Sequence, residues 1–184
     1  MAIGLQFQRV SDPLEGQSKW WGAPDLPLDM DYPCASDGEP LLFVCQIRLE
    51  DIAQYDTEGL LPHTGMLYFF ADMAEYVAPL EGISGEEHNG LGEWSEGCYR
   101  VLYSPTCDNL EAFAIVDDDD EPAFLEAERI VFSEASPHHD SFKLLGRPYY
   151  EEISEQYPDD VCLLQIDESD EWGLRLYDCG MICF

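Results

Sequence analysis

Lysine is almost missing from this 184-residue chain. Only Lys19 and Lys143 occur, and with six arginines they stand against thirty-nine aspartates and glutamates, for a formal net charge of -31. That shortage of cations sets nucleic acid and anionic membranes against the chain, because like charge opposes every encounter. No CxxC spacing occurs among the seven cysteines, Cys34, Cys45, Cys98, Cys107, Cys162, Cys179 and Cys183. The N-terminal residues Met1 to Arg9 lack the basic start and apolar run of a secretory signal, and no stretch reaches the ~18 apolar residues of a membrane span. These absences together read as reduced thiols in a cytoplasmic protein.

Signatures of chemistry are also scarce. Gly90-Leu-Gly92 opens like a dinucleotide loop but the third glycine is missing. His63, His88, His138 and His139 lack metal-ligand spacing, and Ser84 and Ser141 sit in no nucleophile elbow. Counted from Asp117, Asp119, Glu121 and Glu128 fall at calcium-loop positions 3, 5 and 12, yet Pro122 stands where the sharp turn needs Gly. No cofactor, no metal and no catalytic residue is expected.

The chain does carry the means to fold. It is 46% hydrophobic and 12% aromatic, and its acid is interleaved with Leu, Phe, Tyr, Trp and Val, which sets it apart from disordered acidic chains. Adaptation to high salt would also yield an acidic, lysine-poor surface, but it asks for neither seven cysteines nor so many bulky aromatics. Residues Gly38 to Phe70 read as a buried strand, a short helical or looped excursion, a Gly turn and a second buried strand. In the first strand Leu41, Phe43, Cys45 and Ile47 alternate with Leu42, Val44 and Gln46, so both faces are apolar and the strand belongs in the middle of a sheet. Gln46 is then a buried amide, expected to tie its strand to a neighbouring loop's backbone. Ahead of it, Lys19-Trp-Trp-Gly-Ala-Pro-Asp-Leu-Pro27 is an irregular turn that Trp20 and Trp21 pin to the core. Ile3, Leu5 and Phe7 alternate as an edge strand would.

The C-terminus repeats this order. Leu144-Leu-Gly-Arg-Pro148 precedes Val161-Cys-Leu-Leu-Gln-Ile166, which precedes Gly180-Met-Ile-Cys-Phe184, and Gln165 takes the place of Gln46. Internal duplication on this pattern predicts two related strand pairs about a pseudo-twofold axis.

The Gly-x-Pro-Asp-Leu-Pro loop, the Pro40-Leu-Leu-Phe-x-x-Gln-Ile47 strand, the Leu61-Pro-x-x-Gly-x-Leu-Tyr-Phe-Phe70 strand, the Leu-Leu-Gly-x-Pro148 turn and the Leu163-Leu-Gln-Ile-Asp167 segment resemble the YwqG-like family of bacterial proteins of unknown function. The resemblance covers about residues 19–70 and 143–184. It implies one sheet-rich α+β domain with internal pseudo-symmetry; over residues 1–184 few short helices, repeat-like halves at 19–70 and 143–184 and, from the charge count, an acidic middle segment at 71–128 are expected. It supplies no catalytic mechanism, and it implies an association with toxin genes as immunity proteins. The ending Gly-Met-Ile-Cys-Phe is shorter than the family's pattern, so the last strand is expected to be cut short.

The middle segment is where the chain is individual. Residues 71–128 hold sixteen acids against Arg100, half the net charge in under a third of the length. Tyr99 to Tyr103, Leu110 to Val116 and Arg129 to Phe132 read as strands, and the loops between them carry the acid. A basic protein partner, in its sharpest form a nuclease-like toxin, is the expected ligand. Asp117, Asp118, Asp119, Asp120 and Glu121 would steer it, with Glu86 and Glu87 next. The alternative is a small ligand or an enzymatic substrate in a cleft between the repeats, lined by Trp21, Gln46, Arg147 and Gln165.

Overall fold

A computed structural model describes residues 1–77, 93–116, 122–176 and 180–184. In chain order its elements are β1 (Ala2–Gln8), β2 (Lys19–Trp20), β3 (Asp25–Pro27), β4 (Leu42–Arg48), α1 (Leu49–Ile52), β5 (Met66–Ala71), β6 (Tyr99–Ser104), β7 (Leu110–Ala112), β8 (Glu128–Ala135), β9 (Lys143–Leu144), α2 (Glu151–Gln156), β10 (Leu164–Ile166) and β11 (Ile182–Cys183). Nine strands form one sheet in the order β11-β10-β9-β1-β8-β2-β4-β5-β6, and β3 and β7 form a separate ribbon. Every pairing is antiparallel. The sheet-rich character with few short helices therefore stands, since the described residues hold two α-helices and one 3-10 turn.

The β4–β5 hairpin carries the core because both its faces are covered. On one face Leu67, Phe69 and Ala71 join Trp20, Trp21, Leu144, Leu164 and Ile166 in the larger apolar cluster. On the other, Met66, Tyr68 and Phe70 pack with Leu26, Leu41 and Phe43 beneath the β3–β7 ribbon. The alternation expected of β4 is broken in the middle. Phe43 pairs with Phe70 and Cys45 with Phe69, leaving Val44 as an extra residue. This bulge turns Val44 and Cys45 both toward the larger cluster and swings Gln46 over to the Tyr68 face. One inserted residue inverts every side chain after it.

β1 is not the edge strand its short alternating pattern predicted. It lies between β8 and β9, with seven residues paired to β8. Its first four residues are buried on both faces. Gly4 permits the close approach, since a Cβ there would lie 3.2 Å from Ser133 Oγ. The strand expected over 110–116 runs as β7 only to Ala112, and the last strand, β11, is two residues long, short as expected.

Gly65 fixes the entry to β5. It holds φ +93°, and a Cβ would stand 2.1 Å from the Ser104 carbonyl oxygen on β6. Only glycine allows both that conformation and that contact.

Candidate functional site

The irregular turn after β2 is held from three sides. Trp21 and Gly22 take left-handed conformations, φ 58° and 80°. Trp20 stacks on Trp172 at 5.7 Å and meets Trp21 edge-on at 5.5 Å, which pins the turn to the aromatic core. Among the described residues neither buried indole N–H has an acceptor, and these rings serve by volume. The turn delivers Asp25, fully buried, onto the β4 face that Gln46 reaches because of the bulge.

Asp25 is the hub. Its Oδ2 accepts from Lys19 Nζ at 2.8 Å, Gln46 Nε2 at 2.7 Å and the Gly16 N–H at 2.9 Å. Its N–H donates to Gln46 Oε1 at 2.9 Å, and Tyr68 Oη donates to its carbonyl at 2.8 Å. Burial, with the nearby Cys107 and Asp25 adding to it, raises the Tyr68 pKa, so the phenol is a neutral donor. A buried ion pair is held in place by further hydrogen bonds, and here Oδ2 takes one from Gln46 and one from Gly16 besides that of the ammonium.

The other lysine occupies a similar station. Leu145 and Gly146 take φ 60° and 91°, and the Leu145 N–H donates to Leu163 O as the Trp21 N–H does to Val44 O. Gln165 Oε1 accepts from the Tyr149 N–H at 2.8 Å, and its Nε2 donates to Ser141 O at 2.8 Å. Gln46 Nε2 makes the matching bond to Gln17 O at 2.8 Å. Lys19 is paired in register with Gln46, and Lys143 with Gln165.

One partner differs between the two. Tyr149 stands where the first turn has Asp25, and among the described residues the fully buried Lys143 ammonium donates to the carbonyls of Pro137 at 3.2 Å and His139 at 2.7 Å. Desolvation accordingly lowers the Lys143 pKa. The Cys162 and Cys183 thiols lie near it and near each other.

Two open hollows flank the first station. One, about 630 Å³, is lined by Lys19, Gly22, Asp25, Leu110, Ala112 and Phe124 among others. The other, about 450 Å³, brings Arg48 and Arg129 together with Ser18, Asp51 and Glu15. Its two arginines face two carboxylates, so it has no strong preference of sign.

The sequence-derived residues fall into three groups. Trp21, Gln46 and Gln165 are buried and engaged internally, while Arg147 is exposed. None of the four lines either hollow. Asp117 to Glu121, Glu86 and Glu87 lie outside the described residues, as does the Gly90-Leu-Gly92 segment. Lys19, Asp25 and Lys143 were not expected as buried polar groups, although a signal was present: each lysine stands three residues before the glycine of a Gly-x-Pro turn. Nor was Asp56, a buried carboxylate that accepts from the Leu60 and Leu61 N–H groups at 3.0 and 2.9 Å. Among the described residues no group of three or more His, Cys, Asp or Glu side chains is placed to hold a metal.

The fold and these stations define an acidic antiparallel-sheet protein in which each lysine is folded inward onto a strand glutamine. The chain belongs to the family described as Domain of unknown function (DUF1963), which it matches over residues 18–158. That span takes in Lys19, Asp25, Gln46 and Tyr68 of the first station and the turn of the second. No curated protein matches the chain. No helix among the described residues is long and apolar enough to cross a membrane.

Proposed function

We propose that this chain is an acidic binding protein that captures a cationic protein partner. One observation carries the reading: Lys19 and Lys143 are 5% and 0% exposed, so the only side-chain cations left to face solvent are six arginines against an excess of carboxylates. Of the described acids only Asp25, Asp56 and Glu128 are buried. Such a surface speeds the approach of a basic partner and repels acidic ones.

Affinity needs an apolar anchor within the acidic rim. Phe113 is 50% exposed and stacks on Tyr32 at 5.1 Å, and Val116 is 49% exposed immediately before the Asp117 to Glu121 run. This adjacency supports Asp117, Asp118, Asp119, Asp120 and Glu121 as the steering group, with Glu86 and Glu87 second. The sharpest form of the reading is an immunity protein, of the YwqG-like kind, that neutralises a nuclease-like toxin in the cytoplasm. Toxins of that class carry cationic surfaces to hold phosphates, which acid matches.

The matched turns around Lys19 and Lys143 support a second element of the reading, an internal pseudo-twofold repeat whose axis passes between β1 and β8. The rival function, a small ligand, is favoured by the hollow beside Gly22 and Asp25. Changing residues 117–121 to their amides separates the two. On the first reading association with the partner slows about tenfold or more at low salt; an unchanged association rate contradicts it.

A further inference from the structure

Of the two lysine stations, the second carries chemistry that the first does not. In the first, the sheet positions nearest the buried ammonium hold Gln46 and Tyr68, and a carboxylate neutralises it. In the second, no described carboxylate lies within ion-pair distance of Lys143 Nζ, and the positive charge is left among two thiols and carbonyl oxygens. Asp140 acts on it only from a distance.

The strand geometry brings the thiols together. Cys183 pairs with Gln165, and the register shifts at once: the Leu163 N–H donates to Phe184 O at 2.7 Å while the Phe184 N–H donates to Leu164 O at 2.9 Å. Leu163 and Leu164 thus both oppose Phe184, a bulge at the start of β10 that turns Cys162 onto the Gln165 and Cys183 face. Cys162 is buried, whereas Cys183 is partly exposed on β11, an edge strand of the sheet. A cation, a buried thiol and a reachable thiol brought to one face of the sheet are what a redox-active cysteine pair requires.

We propose that Cys162 and Cys183 are a redox-modifiable dithiol that a hydroperoxide converts to a disulfide, bolting the C-terminal strand to β10, with Lys143 as the positioning cation. The Cys183 thiolate attacks the hydroperoxide, forming an S–O bond as the O–O bond breaks, and the departing alkoxide or hydroxide takes up a proton. The Cys162 thiol then gives up its proton and attacks the Cys183 sulfur. The S–S bond forms, the S–O bond breaks, and the hydroxyl leaves with that proton as water. Two thiols and one hydroperoxide become one disulfide, one alcohol or water, and one water. A dithiol reductant reverses the change. The assignment of roles agrees with the proton affinities: the Cys162 thiol, with Lys143 adding to it against burial, lowers the Cys183 pKa, while the Cys183 thiol and burial raise that of Cys162.

The test treats the purified full chain with hydrogen peroxide and follows each cysteine by peptide mass spectrometry, with exposed Cys34 as the internal reference. The proposal expects a Cys162–Cys183 disulfide to form about tenfold or more faster than Cys34 oxidises, to be reversed by dithiothreitol, and to give way in Cys162→Ser to a Cys183 sulfenic acid that dimedone traps. Cys183 should also alkylate at lower pH than Cys34 in the unaltered protein, and Lys143→Met should move that midpoint upward. Cys162 and Cys183 persisting as thiols while Cys34 oxidises would overturn the proposal, as would a Cys179–Cys183 bridge in its place. Should Lys143→Met fail to fold, the comparison of Cys183 with Cys34 in the unaltered chain still decides.

Discussion

At the residue scale, the protein's polar interior is built from groups that solve one another's burial. Asp56 shows the arithmetic in its simplest form. Burial opposes its ionisation, but the Leu61 and Leu60 N–H groups and the His63 ring 3.5 Å away prevail, and the carboxyl titrates below its ordinary value. A carboxyl lowered in the folded state stabilises fully above the unfolded pKa and loses that contribution as pH falls through the folded one. Asp56→Ala is therefore expected to cost about 1–3 kcal/mol at neutral pH. Urea midpoints measured from pH 7 down to pH 3 should show the gap to the unaltered chain closing. Little of this was legible in the sequence. Gln46 and Gln165 were readable as buried amides because each interrupts an apolar run, and both bind the backbone of a neighbouring loop. Lys19 precedes two tryptophans and Asp25 lies between Pro24 and Leu26, but only the folded chain brings Gly16 and Gln46 to Asp25 and Leu61 to Asp56.

At the scale of elements, burial on two sides made β4 and β5 recognisable, since a strand covered on both faces is what keeps so short a run apolar at every position. The bulge at Val44 was not recognisable, because an inserted residue leaves hydrophobicity unchanged and alters only the register. β1 was misplaced for a related reason: Ile3, Leu5 and Phe7 alternate, but Ala2 and Gly4 between them are buried by smallness rather than by hydrophobicity. The Gly turn before β5 was read correctly, and its necessity can be measured. Gly65→Ala would force a left-handed conformation on a residue with a Cβ and drive that atom into the Ser104 carbonyl. A loss of about 2–4 kcal/mol is expected in chemical denaturation, with β5 and β6 amides exchanging faster than the rest of the sheet.

At the scale of the whole molecule, charge was the plainest feature of the sequence, and its arrangement was hidden there. Composition counts Lys19 and Lys143 as surface cations, but the fold turns both inward. Amine-directed acylation of the native protein should accordingly mark the N-terminal amine alone, and unfolding in urea should expose two further sites. Rapid labelling of either lysine in the native state would contradict the stations described for them. The same inward turn leaves the surface to its carboxylates, and the proposed capture of a cationic partner rests on that surface.

The most direct measurement is a pull-down from source-cell lysate at low salt, elution by salt, and then the association rate of the purified chain with the eluted protein across ionic strength. The account predicts a basic protein whose association slows steeply between about 50 mM and about 500 mM salt, as attraction over the Debye length is screened. A partner without excess positive charge, or a rate indifferent to salt, would contradict it.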